Sequence, residues 1–278
     1  MIRRRQFIEL EDIEGFPKWI RDYGTDFLRY VCNLLHPFDV LEERVAHMMR
    51  EMEVDQIVDL CSGGAGPLMD FINGLEKHGA LLKKVTMTDK YPNIPAFAYT
   101  SKLSQGRIGY SNASIDASNV PATLPGLRTL FNSFHHFPPT LAKSILQNAV
   151  DRREPIVIAE FIERWLALPL LMGLGIFAYI TAPFIKPFSI RRLLSFWVLP
   201  VVPLFIMWDG FVSCLRIYSP QELKELVDDL KNTENYIFDI GLVSSTMRVT
   251  YLIGHPSNKN LPASRKSDNK TDRSLTKS

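Results

Sequence analysis

Apolar residues recur at helical spacing over residues 17–52, in two runs broken at His36-Pro37. Trp19, Ile20, Tyr23, Phe27, Leu28, Val31 and Leu34 mark the first run, and Val40, Leu41, Val45, Met48 and Met49 the second. Two helices packed on whatever follows are expected. Strand-like and helix-like runs then alternate. Strands are predicted at 56–60, 84–88, 107–111, 127–131 and 155–161, with helices at 67–77, 94–103 and 139–151. Such alternation implies a parallel sheet wrapped by helices. After a long apolar insertion, Ser219-Pro220 opens a helix at 221–230, and two strands at 236–242 and 247–254 form an antiparallel hairpin across a tight Val-Ser-Ser connection.

The insertion departs from every pattern around it. Residues 165–185 are 21 positions without a charge, and a second uncharged run, 193–208, follows Lys186, Arg191 and Arg192. The first run meets the roughly 20-residue length of a bilayer span and the second is short for it. A spanning hairpin would carry its basic residues away from a cytoplasmic domain, against the positive-inside tendency. A re-entrant or interfacial hairpin broken by Pro169, Pro183, Pro187, Pro200 and Pro203 fits better, and a soluble apolar lid is the other reading. Trp208-Asp209-Gly210 reads as a turn back into the domain, with Asp209 or Arg216 at a pocket mouth.

With 278 residues and a net charge of +2, the chain is long enough for one sizeable core plus an insertion, and its overall charge selects no partner. The basic ends, Arg3-Arg4-Arg5 and the residues from Lys259 to Lys277, read as solvated tails, and the polar stretch 257–278 as disordered. Cys32, Cys61 and Cys214 lie far apart without metal-ligand spacing, so a reducing compartment and no metal are expected. No apolar run follows the first basic residues, so no cleaved leader is expected.

The chemistry concentrates at Ile57-Val58-Asp59-Leu60-Cys61-Ser62-Gly63-Gly64-Ala65-Gly66, an apolar strand, an acid and a small-residue loop ahead of a helix. Small residues let backbone N–H groups approach a ligand beside a helix N-terminus. A dinucleotide loop would need GxGxxG with an acid about 20 residues on, and the first glycine is replaced by Cys61. Asp59 through Gly66 better resembles the first motif of class I S-adenosylmethionine-dependent methyltransferases. Further resemblances follow in order: Asp89 where that family's acid holds the ribose, Asp116 beside the adenine, and Asn132-Ser133-Phe134-His135-His136 where a fourth-strand motif ends in a histidine.

The resemblance implies an α/β fold with a Rossmann-like, doubly wound seven-stranded sheet of order 3-2-1-4-5-7-6. It divides the chain into an N-terminal helical segment (1–52), a methyltransferase-like domain (53–163 and 217–256), the apolar helical insertion (164–216) and the tail. S-adenosyl-L-methionine is the implied cofactor, held by Asp59, Cys61, Gly63, Gly64, Gly66, Asp89, Asp116 and Asn132. His135 or His136 is the expected base, with Glu160 at the end of the fifth strand in reserve. Adjacent side chains at a strand end point opposite ways, so only one histidine is expected to face the site. The expected acceptor is small and lipophilic (a lipid, quinone or terpenoid) and not nucleic acid, reached through membrane contact at 165–208 by a cytoplasmic, membrane-associated enzyme. A nicotinamide-dependent oxidoreductase acting on a lipid and a membrane-docked binding protein without catalysis are the alternatives.

Overall fold

The central strands are apolar on both faces, as a sheet covered on two sides requires. In the computed structural model, which describes residues 4–244 and 247–257, Ile57, Leu127 and Val157 enter one core while Val58, Leu130 and Ile158 enter another. The strands are β1 (Gln56–Asp59), β2 (Lys84–Asp89), β3 (Ile108–Ser114), β4 (Leu127–Phe131), β5 (Ile156–Glu160), β6 (Tyr236–Ser244) and β7 (Arg248–Pro256). Their order is β3-β2-β1-β4-β5-β7-β6. The first five are parallel, and β7 runs antiparallel between β5 and β6. This is the expected sheet, and every predicted strand and helix lies within three residues of its expected ends.

The helices α1 (Lys18–Leu35), α2 (Glu42–Glu51), α3 (Leu68–Lys77) and α4 (Ile94–Leu103) precede β4, and α5 (Pro139–Arg152) follows it. α1 stops where His36 turns left-handed (φ 44°) ahead of Pro37, the break visible in the sequence. α9 (Pro220–Asp228) begins with a capping box in which Ser219 and Glu222 satisfy each other's backbone N–H groups. The tail from residue 258 lies outside the described residues, as does part of the β6–β7 connection.

The insertion folds as α6 (Ala167–Thr181), α7 (Ile190–Trp197) and α8 (Val201–Arg216). The 21-residue uncharged run is therefore not one helix, because α6 ends ahead of Pro183 and a short 3-10 turn follows. Among the described residues no single helix is long and apolar enough to cross a membrane, and α7 and α8 bend by 73° where they meet. Trp208-Asp209-Gly210 is not a turn either; it continues α8. α8 lies between α6 and α1, so closely that a Cβ on Gly24 would sit 2.4 Å from the Phe205 ring.

Candidate active site

The loop after β1 is wound tightly by four left-handed residues, Cys61 (φ 55°), Gly63 (φ 51°), Ala65 (φ 72°) and Gly66 (φ 28°). Cys61 thus takes the conformation that favours glycine at that place. Asp89 at the end of β2 ties the loop down. One of its oxygens accepts from the Gly63 N–H (2.8 Å) and the other from the Tyr91 N–H (2.7 Å). Gly64 touches α1, where a Cβ would lie 2.4 Å from the Thr25 carbonyl oxygen. Asp59 sits deeper, accepting from the Thr129 hydroxyl (2.6 Å), and burial pushes its carboxyl up to about 7.

A cavity of about 460 Å³ opens over this loop, lined by Cys61, Gly63, Gly64, Gly66, Asp89 and Asn132 among others. Asp59 and Asp116 are not among its lining residues. Asp116 instead accepts from the Ser118 N–H (2.9 Å) and hydroxyl (2.7 Å) and pairs with Lys90 (3.5 Å). A second cavity of about 330 Å³ lies under α6 and α8, walled by apolar residues such as Phe27, Val31, Phe161, Leu174, Phe177 and Phe205. The two cavities share Glu11, Leu28, Asn132 and His136. A polar chamber on the glycine loop therefore meets an apolar one at a polar junction.

Both histidines line the apolar cavity, contrary to the expectation that one would turn away. The reason is local: residues Phe134–His136 form a 3-10 turn beyond β4, which lacks the alternation of a strand. Their rings stack with centroids 4.5 Å apart. Behind them, the buried Glu160 accepts from the Phe134 N–H (2.7 Å), the His135 N–H (3.1 Å) and His135 Nδ1 (2.7 Å). A carboxylate so occupied fixes the His135 proton on Nδ1 and leaves Nε2 as the ring's acceptor. Glu160 is thus an orienting group behind the histidine.

Sequence reasoning missed the segment that closes the junction. Residues 4–12 form a strap against α8 and the histidine turn. The Arg5 N–H donates to the Leu215 carbonyl (2.8 Å), and the Leu10 and Glu11 N–H groups donate to Asp209 (2.9 and 3.0 Å). Arg4 is not in a solvated tail: it donates to the His135 and Phe137 carbonyls and stacks 4.1 Å from the Tyr218 ring centroid. Glu9, fully buried, lies 2.6 Å from His136 Nδ1 and 3.8 Å from His135 Nε2. Arg216 pairs with Glu9 (3.3 Å) and Asp12 (2.5 Å) and donates to the His135 carbonyl (3.2 Å). Burial opposes the charged form of His136, yet Glu9, Asp12 and Glu11 outweigh it and raise its imidazole well above the usual range. Burial pushes Glu11 up to about 8 and Asp209 up to about 7. The only sequence sign of this strap was a cluster of acids, Glu9, Glu11 and Asp12, beside apolar Phe7 and Ile8.

No family model matches the chain, and no curated protein matches it. Solved structures do. An O-methyltransferase family protein from Burkholderia thailandensis superimposes with a TM-score of 0.50 at 15% identity, over 86% of this chain and 60% of that one. The fold is that of the class I methyltransferases. This chain spans about three fifths of that neighbour's length. The S-adenosylmethionine-dependent methyltransferase SibL, in its apo form, is similar at a TM-score of 0.49 and 12% identity, over 90% of this chain and 61% of that one. The O-methyltransferase NcsB1 from neocarzinostatin biosynthesis, in complex with S-adenosylmethionine and 2-hydroxy-5-methyl naphthoic acid, is similar at 0.42 and 15% identity, over 77% and 56%. In a class I methyltransferase fold the glycine loop and the carboxyl ends of β1, β2 and β4 border the crevice of the doubly wound sheet. The larger cavity occupies that crevice here.

Proposed function

We propose that this chain transfers a methyl group from S-adenosylmethionine to a small lipophilic acceptor bearing an uncharged hydroxyl, taken up at a membrane surface. The observation that carries the proposal is the meeting of a polar, glycine-lined cavity with an apolar one at Asn132, His136, Glu11 and Leu28.

The polar cavity suits the cofactor on its own residues. No atom lies within 4 Å of where a Cβ on Gly66 would be, so the loop leaves open space on its cavity side. Gly63, Gly64, Gly66 and Asn132 would bound the cofactor, Asp89 would accept from its ribose hydroxyls while tying the loop, and Arg21 and Arg29 line the same wall. When bound, it supplies an electrophilic methyl on a sulfonium. The chain's own residues do the rest. Phe27, Phe161 and Phe205 exclude water and hold the acceptor's apolar body. His135 Nε2 takes the acceptor's hydroxyl proton, and Glu160 keeps that nitrogen basic. At the junction Glu9 and Asp12 pair with His136 and Arg216, and Glu160 is taken up by His135. An acceptor that brought its own charge would enter a buried place whose ionic groups already have their partners. Orientation of this kind lowers a barrier by roughly 7–11 kcal/mol when the geometry is right.

A nicotinamide-dependent reading fits less well, because β7 lies antiparallel between β5 and β6. The dinucleotide-binding sheet is parallel with order 3-2-1-4-5-6. Titration calorimetry with S-adenosylmethionine and with NADH separates the two. S-adenosylmethionine should bind, and Asp89→Ala should weaken it at least about tenfold, or 1.4 kcal/mol, by freeing the loop. Tight NADH binding without an S-adenosylmethionine signal would overturn the proposal. Binding without turnover on long-chain alcohols and phenols would leave a non-catalytic binding protein.

A further inference from the structure

The structure assigns a docking function to the outer face of the insertion: the end of α6, all of α7 and the start of α8 rest on an anionic membrane surface without crossing it. The acceptor then passes into the apolar cavity from that side, a step that rests on the function proposed above.

Four observations point the same way. First, large apolar side chains stand in water across this one face, among them Ile180, Phe184, Leu194, Val198 (66% exposed) and Leu199 (69%). A patch of this kind on a folded chain marks a surface that is covered in use. Second, Trp197 of α7 is exposed on this face, its indole N–H donating to the Tyr179 carbonyl (2.8 Å) at the end of α6. Indole rings favour the headgroup level, where one end is apolar and the other wet. Third, no carboxylate occurs between Glu163 and Asp209, while Lys186, Arg191 and Arg192 do. Arg192 is spent inside, donating to Asp26 (2.8 Å), so Lys186 and Arg191 are the cations presented outward. Fourth, the face is continuous with the acceptor chamber. Leu174 and Phe177 of α6 line the apolar cavity, while Ile176 and Ile180 of the same helix face out.

The geometry sets the mode of contact. Both ends of the insertion return to the same domain, through β5 and α9, and α7 (8 residues) and α8 (16 residues) are each too short to span alone and meet at a 73° bend. α7 carries Ile190, Leu194 and Trp197 exposed, with Arg192, Ser195 and Phe196 buried, the layout of a helix lying in an interface. A second copy of the chain is a poorer occupant. An isologous contact would bury Lys186 and Arg191 of both copies in one interface with no carboxylate on the face to meet them. Anionic headgroups meet them directly.

The test is co-sedimentation of the full chain with phosphatidylcholine vesicles, with and without phosphatidylglycerol. Binding is expected to the anionic vesicles. Lys186→Gln with Arg191→Gln should weaken it about 30-fold, the weight of two surface cations. Val198→Asp with Leu199→Asp should also release the protein. Both pairs are solvent-exposed, so circular dichroism and calorimetry with S-adenosylmethionine should match the parent and show the variants folded. Equal binding to neutral and anionic vesicles, or none to either, would overturn the inference. So would a dimer in light scattering that Val198→Asp with Leu199→Asp dissolves, since a second copy would then be the occupant. Vesicle binding without S-adenosylmethionine binding would sink the methyltransferase reading and leave the docking face standing.

Discussion

Glu160 offers the sharpest test of how the junction works. It is buried at the end of β5 and accepts three hydrogen bonds, two from the backbone N–H groups of Phe134 and His135 and one from His135 Nδ1. Glu160→Ala strands all three donors in a buried place, which costs about 3–5 kcal/mol, the range for removing one partner of a buried pair. Glu160→Gln is gentler. Its amide oxygen still serves the two backbone donors, so stability should fall by only about 1–2 kcal/mol. Its NH₂ group, however, cannot accept from Nδ1. The imidazole answers by moving its proton to Nε2, and the basic nitrogen at the apolar cavity is lost. Turnover should then drop about 10²- to 10⁴-fold, the usual contribution of a placed base, while S-adenosylmethionine affinity stays unchanged. Urea unfolding measures the first effect. Two-bond ¹⁵N–¹H spectra of the imidazole read the tautomer without knowledge of the acceptor. A proton on Nε2 in the parent protein, or unchanged turnover in Glu160→Gln despite a shifted tautomer, would refute the assignment.

Two further predictions follow from the loop. Asp59 has its folded pKa raised from 3.8 to about 7 by burial. Between these values the unfolded chain holds fewer protons, so stability falls as pH rises from about 4 to about 7 and then levels off. Asp59→Asn keeps the acceptor for the Thr129 hydroxyl and removes that loss. Urea midpoints should coincide near pH 4 and favour the variant by a few kcal/mol near pH 8, by the linkage of pKa to stability; parallel curves would reject it. Gly64→Ala places a methyl 2.4 Å from the Thr25 carbonyl, which must move with α1. A cost of about 1–3 kcal/mol is expected, read as a lower melting temperature together with weaker S-adenosylmethionine binding; an unchanged melting temperature would mean the loop and α1 separate freely.

The sheet was legible because its strands and helices carry their periods locally. β1, β4 and β5 are short apolar runs bounded by turn residues, and α3, α4 and α5 are amphipathic or capped by nearby proline and asparagine. The order of the closing elements, α9 followed by two strands, named the topology. The insertion was harder. Its apolar count is that of a membrane span, yet one side of α6 and α8 is apolar because it walls a cavity and the other because it faces outward. Composition cannot separate those two causes. Only the packing of α8 against α1 does so.

The candidate site was half legible for a related reason. Gly63, Gly64, Gly66, Asp89 and Asn132 converge because they sit at the carboxyl ends of neighbouring parallel strands, which topology dictates. The junction has no such rule behind it. Glu9 and Asp12 come from the strap, His135 and His136 from the turn after β4, Glu160 from β5, and Asp209 and Arg216 from α8. Long-range ion pairs of this sort leave no period in the sequence. Yet they tie strap, turn and insertion to one another. Asp209 holds the strap by its backbone, the strap presents Glu9 to the histidines, and Arg216 joins all three. The segment with the exposed apolar face is therefore the same segment that positions the groups lining the apolar cavity. Disturbing the inner side of α8 should harm chemistry, and disturbing its outer side only delivery.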